Sequence, residues 1–268
     1  MVNQVALKGI VLSAAPHGEY DKRLVVLTGQ RGKITVFVKG AKRPSNRFAA
    51  MCQPFAFGDF VLYQGKEAYN LVDVSISNYF DSIAKDMDAV YYGFYFLELA
   101  DYYSHENVFA KDMVNLLYVS LKALINKNIP AKLVRYIYEL KMFALNGEYP
   151  DVFQCAYCGN KEGLAGFLVE KSGAVCSECI GISGKANATV KFNTYVDSCD
   201  VSAGKAAKNV ISLNTSTFYT MQYIISSPIE KLYSFTVTDE VLTELSMVMG
   251  RFSAGHIDKQ FKSLEFII

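Results

Sequence analysis

The sequence predicts an α+β fold: a small five-stranded β-barrel, then an α-helical domain with an insert held by four cysteines. Three observations predict it. The first 80 residues alternate apolar and polar positions between turn-forming clusters. Beyond Phe80 the apolar positions recur at helical spacing. Residues 155–179, CAYCGNKEGLAGFLVEKSGAVCSEC, hold four of the six cysteines in two C-x-x-C pairs. The expected boundaries are 1–80 for the barrel and 81–268 for the helical domain, with the insert at 152–182. A chain of 268 residues that is 51% hydrophobic can bury such a core.

The strand segments are VNQVALKGIVLSA, KRLVVLT, GKITVFVKG, PFAFGDFVLYQG and AYNLVDVSI. They are rich in β-branched and aromatic residues, and PHGEYD, GQRG, RPSN and GKE separate them as turns. Closing the sheet on itself removes its exposed edges; an SH3-like barrel is the alternative. The apolar Gly9–Ala15 stretch is short for a signal peptide and no basic region precedes it, so it is read as part of the first strand. The expected compartment is then the cytoplasm, where thiols stay reduced. The longest apolar run, Val90–Leu97, is far short of the ~20 residues of a membrane span, so no membrane partner is expected.

Helices are expected over Asp86–Tyr103, from about Phe109 to Leu124, from Pro130 to Gly147, over Ser216–Ser226 and over Thr238–Phe252. Their predicted buried stripes include Met87, Tyr91, Phe94 and Tyr95 in the first, and Phe109, Met113, Leu116, Leu117, Leu121 and Leu124 in the second. A strand is expected at Ala188–Tyr195.

Net charge is +1, but it is unevenly spread: residues 1–80 hold ten Lys or Arg against five Asp or Glu. Between Lys22 and Arg47 stand Lys22, Arg23, Arg31, Lys33, Lys39, Lys42, Arg43 and Arg47, with no acid among them. Such asymmetry points to an acidic partner. In the third strand, Ile34, Val36 and Val38 alternate with Lys33, Thr35, Phe37 and Lys39. An aromatic flanked by cations on one strand face suits single-stranded nucleic acid, where rings stack on bases and cations meet phosphates.

Cys155, Cys158, Cys176 and Cys179 have the spacing of a four-cysteine zinc site. Each C-x-x-C turn presents two thiolates to one side, and two turns joined by a hairpin supply a tetrahedron. Four sulfurs leave no open coordination position, so one structural Zn²⁺ is expected; iron in the same cage is the rival. No P-loop, dinucleotide-binding glycine motif or histidine-centred metal motif is present, and the expectation is a protein without a catalytic residue.

The chain resembles the RecO family of bacterial recombination mediators. The resemblance is carried by Gly18-Glu19-Tyr20-Asp21, by Thr28 with Gly32-Lys33, by Lys39-Gly40-Ala41-Lys42-Arg43, by the cysteine pairs and by the terminal Lys262-Ser263-Leu264-Glu265-Phe266-Ile267. The cysteines fit one branch of that family. The resemblance implies an N-terminal OB-fold and a zinc-binding insert between helices. It implies a DNA repair function: binding single- and double-stranded DNA, annealing complementary strands and, with RecR, promoting RecA loading on DNA coated by single-stranded DNA-binding protein (SSB). It assigns DNA binding to the eight cations, which Phe37 joins from the strand register. It places the acidic SSB C-terminal tail on the helical domain, where Lys132, Arg135, Lys205 and Lys208 are the candidate cations. The alternative is a zinc-ribbon protein–protein adaptor without direct DNA binding.

Overall fold

The computed structural model describes residues 4–66, 68–180 and 210–267. The strand expected at 188–195, together with Cys199, Lys205 and Lys208, lies outside the described residues. The chain forms two compact units. One comprises Met1–Gly147, Pro228–Thr236 and Lys259–Ile268; the other comprises Glu148–Ser227 and Val237–Asp258. Packing therefore groups the barrel with the first three helices.

The barrel strands are β1 (Gln4–His17), β2 (Asp21–Thr28), β3 (Gly32–Val38), β4 (Phe57–Gln64) and β5 (Tyr69–Asn78). They close in the order β1-β2-β3-β5-β4, with β4 returning to β1. The β3–β5 junction is parallel and the other pairs are antiparallel. Five strands closed this way form an OB-type barrel, which sets the SH3-like alternative aside. β1 serves two neighbours because a register shift between Val11 and Ser13 bends it. The alternation in β3 is as expected: Ile34, Val36 and Val38 are buried with Leu24, Val26, Phe60 and Leu62. Residues 40–56 form turns, including a single helical turn in which the Cys52 amide donates to the Phe48 carbonyl at 3.1 Å.

Three helices follow: α1 (Met87–Tyr103), α2 (Lys111–Ile125) and α3 (Ala131–Leu145). Asp86 caps α1 by accepting from the Asp88 and Ala89 amides. Tyr95, Phe96, Tyr138 and Phe143 are fully buried. The Tyr138 hydroxyl donates to the Phe96 carbonyl at 2.9 Å, so the large ring carries no orphaned polar group. Glu139, 1% exposed, accepts from the Tyr95 hydroxyl at 2.6 Å and from Arg135 Nε at 2.8 Å. Three aromatic or apolar positions depart from the predicted buried stripes: Met87, Phe94 and Phe109 are 64%, 39% and 69% exposed. Met87 opens the first turn of α1, and Phe109 precedes α2 altogether. Phe94 lies mid-helix, and its exposure shows that the predicted face of α1 was out of phase: the buried face runs through Ala89, Tyr92, Phe96, Ala100 and Tyr103, and a helix that is apolar on most sides gives periodicity little to choose between.

The β2–β3 turn ties barrel to helices. Lys33 Nζ donates to the Asp101 carbonyl at 2.6 Å and pairs with the Asp101 carboxylate at 3.2 Å. The Lys33 amide donates to the His105 carbonyl, the Asn107 amide to Arg31 and the Ala110 amide to Gly29. Thr28 Oγ1, buried, donates to the Gly32 carbonyl at 3.0 Å and accepts from the Arg31 amide at 3.2 Å. The terminal Lys262–Phe266 turn returns to α1, where Ser263 donates to Glu98 and Phe266 stacks on Tyr91 at 5.1 Å.

In the second unit, β6 (Leu164–Leu168) lies between β7 (Gly173–Cys176) and β8 (Val210–Ser212). α4 (Thr215–Ser226) and α5 (Asp239–His256) follow. Buried Glu244 joins them by accepting from Thr217 Oγ1 and the Asn214 amide. The expected α5 stripe of Val241, Leu245, Val248, Met249 and Phe252 is buried, with Leu242 half-buried.

Gly32 has φ +61°, and a Cβ there would meet the His105 carbonyl oxygen at 2.1 Å. Gly32→Ala is expected to destabilise the first unit by at least about 2 kcal/mol, through left-handed strain plus a backbone clash. Chemical denaturation read against wild type measures it; a loss under about 0.5 kcal/mol would contradict this account of the seam.

Candidate nucleic-acid interface and metal centre

The eight cations of the basic segment separate into two groups. Lys22 alternates onto the inner side of β2, and its Nζ donates to the Cys52 and Ala49 carbonyls at 3.2 and 3.5 Å. Lys33 is committed to Asp101. Arg31 is half-buried in the β2–β3 turn. Lys22 and Lys33 are spent on the fold's own contacts, and Arg31 is partly covered. Arg23, Lys39, Lys42, Arg43 and Arg47 are exposed.

Arg23 lies directly across from Phe37 in the β2–β3 ladder, so the two share the outer face of the barrel. Phe37 packs against His17 with ring centroids 4.7 Å apart. Arg47 pairs with Asp73 at 3.2 Å, but both side chains are more than half exposed, so the tie is weak and leaves the guanidinium accessible.

The loop carrying Lys39, Lys42, Arg43 and Arg47 is folded onto the β1–β2 turn. The Gly40 amide donates to Asp21 Oδ1 at 2.7 Å and the Lys42 amide to the Tyr20 carbonyl at 2.8 Å. Lys42 Nζ reaches the Gly18 carbonyl at 3.2 Å, and Asn46 Nδ2 donates to the Lys39 carbonyl at 2.9 Å. Gly18 and Gly40 hold φ of +57° and +66°, a conformation that suits residues without a Cβ. An open cleft results, lined by Glu19, Tyr20, Asp21, Lys39, Gly40 and Arg43. Tyr20 is 44% exposed, with the Arg43 guanidinium 4.5 Å from its ring centroid. Neither Tyr20 nor His17 was read from sequence as a site residue; the Gly18 turn before Tyr20 is the signal that a hairpin folds there.

On α3, Lys132 is exposed. Arg135 is only partly so and bonds Glu139. Burial works against its charge, but the Glu139 carboxylate outweighs that and holds the guanidinium protonated.

The sulfur atoms of Cys155, Cys158, Cys176 and Cys179 all lie within 4.8 Å of one another. The Cys158–Cys176 separation is 3.7 Å; an ion with sulfurs at about 2.3 Å at tetrahedral corners sets them ~3.8 Å apart. The first pair leads into β6 and the second leaves β7, so one hairpin presents both turns, as the spacing predicted. Gly159, at φ +72°, turns the chain after the first pair. Burial tends to raise the Cys155 thiol, but amides of Cys158, Cys176 and Tyr157 bring it down to about 6. Donors that favour thiolate suit a metal ligand. The cluster can therefore hold a metal ion, and its four ligands leave no position for a substrate.

Cys52 stands apart. Burial pushes its thiol up to about 11, with Lys22 pulling the other way. At pH 8 the thiol is then protonated, and Cys52 is expected to resist iodoacetamide in the folded protein and to label fully after unfolding. Peptide mass spectrometry reads this directly; rapid native labelling at Cys52 would show that its burial is not maintained.

A family model described as "Recombination protein O N terminal" matches residues 1–80, and "Recombination protein O C terminal" matches 84–196 and 183–265. The DNA repair protein RecO of Clostridium novyi is 26% identical over 259 residues, covering 96% of this chain and 91% of that protein. That of Acetivibrio thermocellus is 25% identical over 268 residues, covering 99% and 97%. That of Bacillus pumilus is 33% identical over 172 residues, covering 64% and 67%.

Proposed function

The chain belongs to the RecO family of DNA repair proteins, and from that premise we propose that it is a non-catalytic recombination mediator whose barrel binds single- and double-stranded DNA. The observation that carries the reading is the group of five exposed cations on β2 and on the segment after β3, Arg23, Lys39, Lys42, Arg43 and Arg47, with Arg23 directly across from Phe37. Cations on phosphates carry no sequence information. They leave base edges free, as annealing of complementary strands requires. With RecR the protein would promote RecA loading on SSB-coated DNA in the cytoplasm, at the nucleoid. Among the described residues no helix is long and apolar enough to cross a membrane.

We assign one structural Zn²⁺ to Cys155, Cys158, Cys176 and Cys179. Bound there, it cross-links the two C-x-x-C turns and reacts with nothing. The SSB tail is assigned to α3, with Lys132 and the outer edge of Arg135 meeting its acidic residues.

Five phosphate contacts predict that log K for single-stranded DNA falls with log[salt] at a slope of about −3.5. Reversing Lys39, Lys42 and Arg43 to Glu should weaken binding strongly and flatten that slope. Lys22→Ala and Lys33→Ala should lower melting temperature more than affinity. Fluorescent-oligonucleotide titration at several salt concentrations checks both; salt-independent or absent binding favours the adaptor reading.

Elemental analysis should find one zinc per chain, and Cys155→Ser should lower zinc content and melting temperature together, because metal binding stabilises the folded form. Iron, or a well-folded protein without metal, would overturn the assignment.

An SSB-tail peptide should bind the full chain in a salt-sensitive manner, lose affinity with Lys132→Glu, and compete poorly with oligonucleotide. Complete displacement by DNA would place both ligands on the barrel.

A further inference from the structure

The Gly18-Glu19-Tyr20-Asp21 turn has no role in the phosphate contacts above, yet it builds the cleft beside them. We propose that this cleft receives one unstacked base of single-stranded DNA, with Tyr20 as its stacking platform and Arg43 as the cation that extends it. The inference rests on the reading of the barrel as a single-strand binder and adds a base contact to its phosphate contacts.

Four features carry it. First, Tyr20 is 44% exposed on a turn held from both sides, by the Gly18 carbonyl on Lys42 Nζ and by Asp21 on the Gly40 amide. An aromatic ring fixed in this way loses little freedom when a base stacks on it. Second, the Arg43 guanidinium already lies 4.5 Å from the ring centroid, and bases stack on Arg planes as well as on rings. Third, the charges are sorted. Glu19 and Asp21 line the cleft with Tyr20, while Lys39 and Arg43 stand beside them. The Glu19 carboxylate beside the Tyr20 hydroxyl raises the phenol above its ordinary value. A phosphate is repelled from those carboxylates and drawn to the cations, whereas a neutral base is free to enter. Fourth, the cleft and Phe37 lie at the same end of β3, so one strand that lays its phosphates along the loop can reach both.

Duplex DNA keeps its bases stacked and has none to offer. Tyr20 therefore separates single-strand affinity from duplex affinity, a distinction that cations alone do not make.

The test uses the full-length, zinc-loaded protein and two fluorescent oligonucleotides of equal length, one of ordinary deoxynucleotides and one wholly abasic. Tyr20→Leu keeps an apolar side chain and the backbone carbonyl that holds Lys42, but removes the π-face. The expected result is a loss of about tenfold for the ordinary strand, little change for the abasic strand, and near-wild-type binding of both by Tyr20→Phe. Equal losses on both strands would make Tyr20 a support for the loop and overturn the proposal. An unchanged affinity on both, with salt dependence intact, would overturn it while leaving the barrel a phosphate binder. If wild type binds neither strand, the single-strand reading falls and the base site with it.

Discussion

The constraint on which the first unit depends is the contact between the β2–β3 turn and the segment that follows α1. Gly32 sits so close to the His105 carbonyl that no Cβ fits, and on either side of it main-chain groups of Gly29, Arg31 and Lys33 are bonded to Ala110, Asn107 and His105. Lys33 then reaches across to Asp101. Because these bonds are made largely by backbone, they fix the barrel's attitude to α1 and α2 closely. They also divide the labour along β3. One end of the strand is spent on the helices, and the other, ~20 Å away at six steps of ~3.3 Å, runs into the exposed Lys39.

That division explains what was legible in the sequence. The period-2 pattern of Ile34, Val36 and Val38 predicted the register of β3, and the two C-x-x-C pairs predicted the sulfur cluster, because both signals are local. The fate of each cation is not local. Lys22 finds carbonyls some 30 residues away, and Lys33 finds a partner 68 residues away. A run of positive charge has no feature that tells a ligand-facing lysine from one satisfied by distant backbone. Met87 and Phe94 fail for another reason: the buried face of α1 runs through Ala89, Tyr92, Phe96, Ala100 and Tyr103, on the opposite side of the helix from the predicted stripe, whereas the α2 stripe was right in phase and Phe109 merely precedes the helix.

The second unit illustrates a different economy of stabilisation. Among the described residues the buried cluster around the four cysteines comprises Cys155, Leu168, Val175 and Cys176, with Leu164, Cys179, Ile180 and Val210 partly buried against it. So small an apolar cluster is poorly suited to order a hairpin and two tight turns by itself, which is the place the proposed metal cross-link would fill. Elsewhere in the same unit, the junction of α4 and α5 is satisfied by a carboxylate, Glu244, that takes the donors of the Asn214–Thr217 turn. Sulfur chemistry and a helix-capping acid thus hold two neighbouring pieces by unrelated means.

Residues 39–46 are pinned to the β1–β2 turn by the Lys42 amide on the Tyr20 carbonyl, the Gly40 amide on Asp21 and Lys42 Nζ on the Gly18 carbonyl, while Asn46 braces the loop itself through the Lys39 carbonyl. The shape of that loop consequently owes something to Lys42, whereas Lys39 enters it through main-chain groups. A lysine exchanged for arginine at position 39 leaves those bonds in place, and the scaffold presents the new charge from the same spot. One electrostatic silhouette can thus persist while a residue that draws it changes.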